Sequence, residues 1–207
     1  MNALTRSFVV AAMGFCLALP ASAATYQVSV DTSSLSGSSG YLDFGFAGLA
    51  DSPAATSFVH ALSGGFALGA PLLDGAALVD PHGWRLGNDG AFNAVFQSWQ
   101  FGSSLQFTVD FGGAWQTATN GSGNTFSLKL WDGGASSSQL TTDSAGDVLR
   151  FQLAPGGGVG VETFARDIAG APSPVTVSAV PEPESCAMLL VGLVAILGTA
   201  RRRRAIR

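Results

Sequence analysis

The feature that most limits the fold is a short-range alternation of apolar and polar residues that returns along the middle of the chain. Tyr26-Gln-Val28-Ser-Val30 has period two, as a strand with one buried face requires. The period returns over 41–46, 104–111, 126–130, 148–153 and 174–180, with weaker runs at 57–68 and 76–79. Leu105, Phe107, Val109 and Phe111 share one face of their run, and Leu149, Phe151 and Leu153 share one face of theirs. Turn chemistry separates the runs: a Ser/Gly cluster at 33–40, Pro71, Asp74-Gly75, Asp132-Gly-Gly134 and Pro155-Gly-Gly-Gly158. The runs at 26–32 and 41–46 predict an opening hairpin. Residues 91–100 fit alternation poorly, and Phe92, Phe96 and Trp99 would share a helical face; a short helical or irregular turn is expected there. Short strands at this spacing, with no crossover helices, predict an all-β fold, an antiparallel β-sandwich or jelly roll.

Two further constraints follow from what the strands contain. Both cysteines, Cys16 and Cys186, lie outside residues 24–180, so a disulfide framework and thiolate metal sites are excluded from the central region. That region carries four basic residues (Arg85, Lys129, Arg150 and Arg166) against twelve acids, a formal charge of −8. An acidic surface repels phosphate backbones, so no nucleic-acid partner is expected.

The ends of the chain have a different character. Arg6 is followed by an apolar stretch over 7–19, Pro20, and then Ala21-Ser22-Ala23, a small-x-small site for signal peptidase. Those parts in that order read as a secretory signal over 1–23, cleaved after Ala23. At the other end Pro181-Glu182-Pro183 precedes an apolar run over 186–200 and then Arg201, Arg202, Arg203 and Arg204. As a helix that run measures roughly 22 Å at ~1.5 Å per residue, against a hydrocarbon core of about 30 Å. Snorkelling arginines make up the difference, and they hold the C-terminus in the cytoplasm with the body of the protein outside the inner membrane. The expected division is therefore a signal peptide (1–23), a β-sandwich domain (24–167), a Pro-rich stalk (168–184), a transmembrane helix (185–200) and an Arg-rich cytoplasmic end (201–207).

This tail resembles the PEP-CTERM sorting signal of Gram-negative bacteria that make exopolysaccharide; the same tail is also labelled an ice-binding-protein C-terminal domain. The resemblance implies recognition by exosortase, a membrane-embedded cysteine transpeptidase, and removal of the tail near Pro181-Glu182-Pro183, with Cys186 a residue of the discarded segment. The central region resembles a group of small PEP-CTERM proteins through Tyr26-x-Val28-x-Val30-Asp31-Thr32, Gly40-Tyr-Leu-Asp-Phe44, residues 93–107 and Thr125-Phe-Ser-Leu128. That second resemblance implies one intact domain and transfers no site.

No catalytic constellation stands out. There is no Gly-x-Ser-x-Gly elbow; His60 lies in an apolar run and His82 in the turn Asp80-Pro-His-Gly83, so both read as structural. Glu162 is the one glutamate of the central region, and the aspartates mostly stand beside Gly or Ser, where they cap turns. Asp143-Ser-Ala-Gly-Asp147 is the best place for a structural calcium, with turn capping as the competing reading. Trp84, Trp99, Trp115 and Trp131 are evenly spaced; core packing is favoured over stacking on sugar rings. A lone Thr117-Ala-Thr119 is the only hint of an ice-binding array. The expected product is a non-catalytic envelope or matrix protein, structural or associated with exopolysaccharide, with a small polysaccharide-acting enzyme or an ice-binding protein as alternatives. Mass spectrometry of the mature protein from producing cells should show Ala24 at its start and a terminus near Pro181–Pro183; an intact Arg207 would leave a plain anchor instead.

Overall fold

A computed structural model describes residues 24–90, 92–167 and 170–180. Among these the strands are β1 (Ala24–Asp31), β2 (Ser39–Gly48), β3 (Thr56–Ala67), β4 (Leu72–Asp74), β5 (Ala77–Asp80), β6 (Gly83–Gly87), β7 (Asn93–Gly112), β8 (Asn124–Trp131), β9 (Asp147–Ala154), β10 (Gly158–Thr163) and β11 (Val175–Ala179). Every pairing is antiparallel, and the strands join into one continuous eleven-stranded sheet.

The sheet folds over on itself because β7 belongs to both halves. Its first part, 93–100, pairs with β2 on one side and β4 on the other. Its second part, 104–111, pairs with β1 and β3. One layer thus runs β10-β9-β8-β2-β7 and the other β11-β1-β7-β3-β6-β5. Their inner faces meet in a continuous aromatic core. Phe44 packs on Phe107 (5.2 Å between centroids) and Trp84 (5.6 Å), Phe111 on Phe126 (5.5 Å) and Phe151 (5.1 Å), and Tyr26 on Phe151 (4.9 Å). This is the two-layered antiparallel arrangement expected of the chain.

At the bend β3 has to follow β7 from one layer to the other, and its register shifts between His60 and Ser63 and again before Gly65. Gly64 adopts φ 85°, and a Cβ there would sit 1.7 Å from the Ser104 carbonyl oxygen. Gly102 closes the other side of the corner, with room for a Cβ denied by the Gly64 carbonyl at 2.5 Å. Backbone approach this close is what glycine permits.

Three expectations need correction. Residues 93–100 are strand, not a helical turn. The alternation is there but carried by unusual residues: Val95, Trp99 and Phe101 point inward together with Asn93 and Gln97, while Phe96 lies on the other face. The buried amides are satisfied, Gln97 Nε2 donating to the Gly69 and Ser98 carbonyls (2.9 and 2.8 Å) and Asn93 Oδ1 accepting from the Ala76 N–H (2.6 Å). Second, β1 and β2 form no hairpin. The connecting turn crosses the corner, where Gly37 N–H donates to the Phe101 carbonyl (2.9 Å) and Thr32 Oγ1 to the Gly102 carbonyl (2.8 Å), delivering β2 to the opposite layer. Third, residues 175–179 of the segment expected as a stalk over 168–184 form β11, the strand that the alternation over 174–180 predicts, pairing with β1 from Tyr26↔Ala179 to Val30↔Val175.

Phe44 is fully buried between the layers. Phe44→Ala should cost about 3–5 kcal/mol, read as a lowered urea midpoint of the domain spanning 24–180 with its strand circular-dichroism signal retained.

Candidate functional site

The outer face of the second layer carries the most developed surface site. Along the middle of β1, β7 and β11 the residues that alternate with the core are uncharged hydrogen-bonding ones, and register sets them side by side. Gln27 stands opposite Thr108 on β7 and Ser178 on β11; Ser29 stands opposite Gln106 and Thr176. These six side chains, with Ala61 at the rim, line an open groove of about 290 Å³. Ala61 begins the β3 irregularity and has φ 55°. The lining contains no titratable side chain.

Beside the groove stands a polar stack. His60 Nε2 lies 3.1 Å from Asp110 Oδ2, and Thr25 Oγ1 donates to Asp110 Oδ1 (2.7 Å). The His60 ring stacks on Phe58 (4.8 Å), and the Arg85 guanidinium lies 4.1 Å from the same ring. A Ser/His/Asp-type nucleophile needs the imidazole between hydroxyl and carboxylate. Here the carboxylate lies between Thr25 and His60, so no hydroxyl is activated and the group braces β1, β3 and β7 together. His82 occupies the expected turn, its N–H donating to Asp80 Oδ1 (3.1 Å). That bond and the Arg85 hydrogen bond hold the half-buried Asp80 carboxyl below its usual range.

On the first layer's outer face, Tyr41 and Phe96 stack at 4.5 Å, and Trp131 Nε1 donates to Asp43 Oδ2 (3.1 Å). Burial pushes the Asp43 carboxyl above its usual range, outweighing the Trp131 hydrogen bond and the Lys129 charge that pull it down. The other three tryptophans lie in the core, with Trp84, Trp99 and Trp115 at 8%, 5% and 0% exposure. Their even spacing marks no equivalent positions: Trp84 and Trp99 are on strands, while Trp115 is in a short 3-10 helix.

Asp143 and Asp147 are brought together, but around a cation the chain supplies itself. Arg150 bonds both carboxylates, Lys129 Nζ is 3.9 Å from Asp147, and Asp143 Oδ2 also accepts the N–H groups of Ala145 (3.1 Å) and Asp147 (3.2 Å). Turn capping and ion pairing describe these residues. Among the described residues no group of three His, Cys, Asp or Glu is placed to hold a metal. Thr117 and Thr119 follow the 3-10 helix in a loop and form no array on a strand.

Set beside known proteins, residues 179–204 match the family model of the PEP-CTERM protein-sorting motif. No curated protein and no solved structure matches the chain. The motif defines the class: an exported protein sorted by exosortase, carried as a membrane-anchored precursor before cleavage. Ala21, Ala23, Pro181, Glu182, Pro183 and Arg201 to Arg204 lie outside the described residues. Among the described residues no helix is long and apolar enough to cross a membrane. The groove escaped sequence reading because its three walls come from 27–29, 106–108 and 176–178, each of which alone resembles an ordinary solvated strand face.

Asp43 gives a pH test of the first layer. A carboxyl with a raised folded-state pKa stabilises the fold below its unfolded pKa, and that contribution disappears as pH rises through the folded value. Asp43→Asn keeps an acceptor for Trp131 and should raise the thermal midpoint at neutral pH, the gain vanishing as pH falls below the ordinary carboxylate range. An equal shift at every pH would contradict the assignment.

Proposed function

We propose that the mature domain is a non-catalytic binding module of the cell envelope that holds a neutral, hydroxyl-rich chain, an exopolysaccharide, in the groove between β1, β7 and β11. The observation that carries this reading is the lining: six Gln, Ser and Thr side chains converge on one groove in a domain whose formal charge is −8. Amides and hydroxyls both donate and accept, matching the paired donor and acceptor character of sugar hydroxyls. An uncharged groove in an acidic domain favours a ligand without phosphate or carboxylate, since an anionic chain would meet repulsion on approach. Export through the sorting motif supports the reading, because chains of this kind are ligands met outside the cytoplasm.

The Asp110 carboxylate beside the groove is engaged by Thr25 and His60, which suits a structural part in the module better than acid–base work. The other acids on this face are ion-paired, Asp31 with Arg166 and Asp80 with Arg85, and Glu162 is on β10 of the other layer, where Arg150 Nη1 lies 3.9 Å away.

Affinity electrophoresis of the 24–180 domain in gels containing the producer's own polysaccharide tests the reading. The domain should be retarded, and retardation should change little between low and moderate salt because no ion pairs form. Replacing Gln27 and Gln106 together by Ala should weaken retention roughly tenfold, as loss of two uncharged hydrogen-bonding groups at ~0.5–1.5 kcal/mol each implies. Unretarded wild-type domain, or retention unaffected by both replacements, would count against the groove.

A further inference from the structure

The sorting motif and the folded domain overlap. The family match begins at residue 179, while β11 runs Val175–Ala179 and Val180 N–H still donates to the Thr25 carbonyl oxygen at 2.9 Å. Pro181 follows immediately and has no N–H to extend the ladder. Between the last paired residue and Pro181-Glu182-Pro183 there is thus no slack: two Cα steps from Ala179 reach at most about 7 Å.

A peptidase takes its substrate as an extended segment and makes contacts on both sides of the bond it cleaves. The residues just before Pro181 are the ones already bonded to β1. We propose that β11 is a releasable strap: the sorting enzyme engages Pro181-Glu182-Pro183 only after β11 has come away from β1, so release of this strand gates removal of the tail.

The strand is built for release without loss of the fold. Among the described residues β11 is an edge strand with β1 as its one partner. Of its five residues only Val175 is buried, Val177 packs partly on the core, and Thr176, Ser178 and Ala179 are exposed. β1 is held independently along its other edge by β7, from Ala24↔Phe111 to Asp31↔Ser104. Edge elements with few buried contacts open at the low end of the local stability range. The strap does not depend on what fills the groove.

A crosslink tests this in the full-length precursor, expressed in cells that carry the sorting enzyme. Val28 and Val177 are opposed on adjacent strands, at the spacing a disulfide can bridge. Val28→Cys with Val177→Cys, oxidised, should leave the tail uncut, with processing slowed at least tenfold relative to the same protein kept reduced. A six-residue Gly/Ser spacer inserted between Val180 and Pro181 of the crosslinked protein should restore processing, because it supplies the missing length. Processing at the normal rate with β11 crosslinked would overturn the proposal. A stall that the spacer fails to relieve would overturn it too, since shortage of free chain would then not be the cause.

Discussion

Everything in this domain depends on one strand being shared by two layers. β7 pairs with β2 and β4 over its first part and with β1 and β3 over its second. Its inward residues, from Asn93 to Phe101 and from Leu105 to Phe111 at alternate positions, supply core to both halves. Buried side chains on one uninterrupted strand must keep period two, and an added residue anywhere would turn the rest of the strand inside out. The bend therefore has to be made without changing the count on β7. That is why the irregularity falls on the partner, β3, where Gly64 and Ala61 take left-handed backbone angles and the register slips. Gly102 opposite Gly64 lets the two backbones touch at the corner.

The same device creates the groove. Where β3 departs from its register, between His60 opposite Thr108 and Ser63 opposite Gln106, Ala61 is left at the margin of the groove. On the far side β11 adds Thr176 and Ser178 to the wall. Charge is kept out of the lining and paired nearby, with Asp110 held by His60 and Thr25, and Asp80 by Arg85. Paired charges project a weaker field into the groove than free ones, so an acidic domain presents a locally neutral surface.

How much of this was legible in the sequence follows from range. Period-two alternation is local, so most strands and the all-β class could be read directly, and the sorting motif is a contiguous string. The first part of β7 was hidden because Asn93 and Gln97 face inward with satisfied amides while Phe96 faces out, inverting the polarity that alternation relies on. The β1–β2 pairing was wrongly expected because neighbours in sequence usually pair, whereas here the turn at 32–38 is bonded to the corner residues 101–103 and sends the strands to different layers. The groove is made by long-range register, for which one sequence holds no local mark. Asp143 and Asp147 looked like oxygen ligands because nothing in the string shows that a guanidinium three and seven residues on will occupy them.

The last strand joins the local signal to the non-local fold. A sorting tail could follow a domain through a long extended stalk, and the Pro-rich composition over 168–184 reads that way. The register of β1 with β11 runs the other way, carrying sheet pairing to the residue before Pro181. Proline, lacking an N–H, cannot donate to an edge ladder, and Pro181 is also the first residue of the Pro-Glu-Pro triplet within the sorting motif. A ladder that stopped earlier would leave the sheet edge of β1 bare, exposing unpaired backbone groups next to the groove. A ladder that continued would bury the motif in the sheet. The boundary sits where the domain can keep its edge covered and still present the tail.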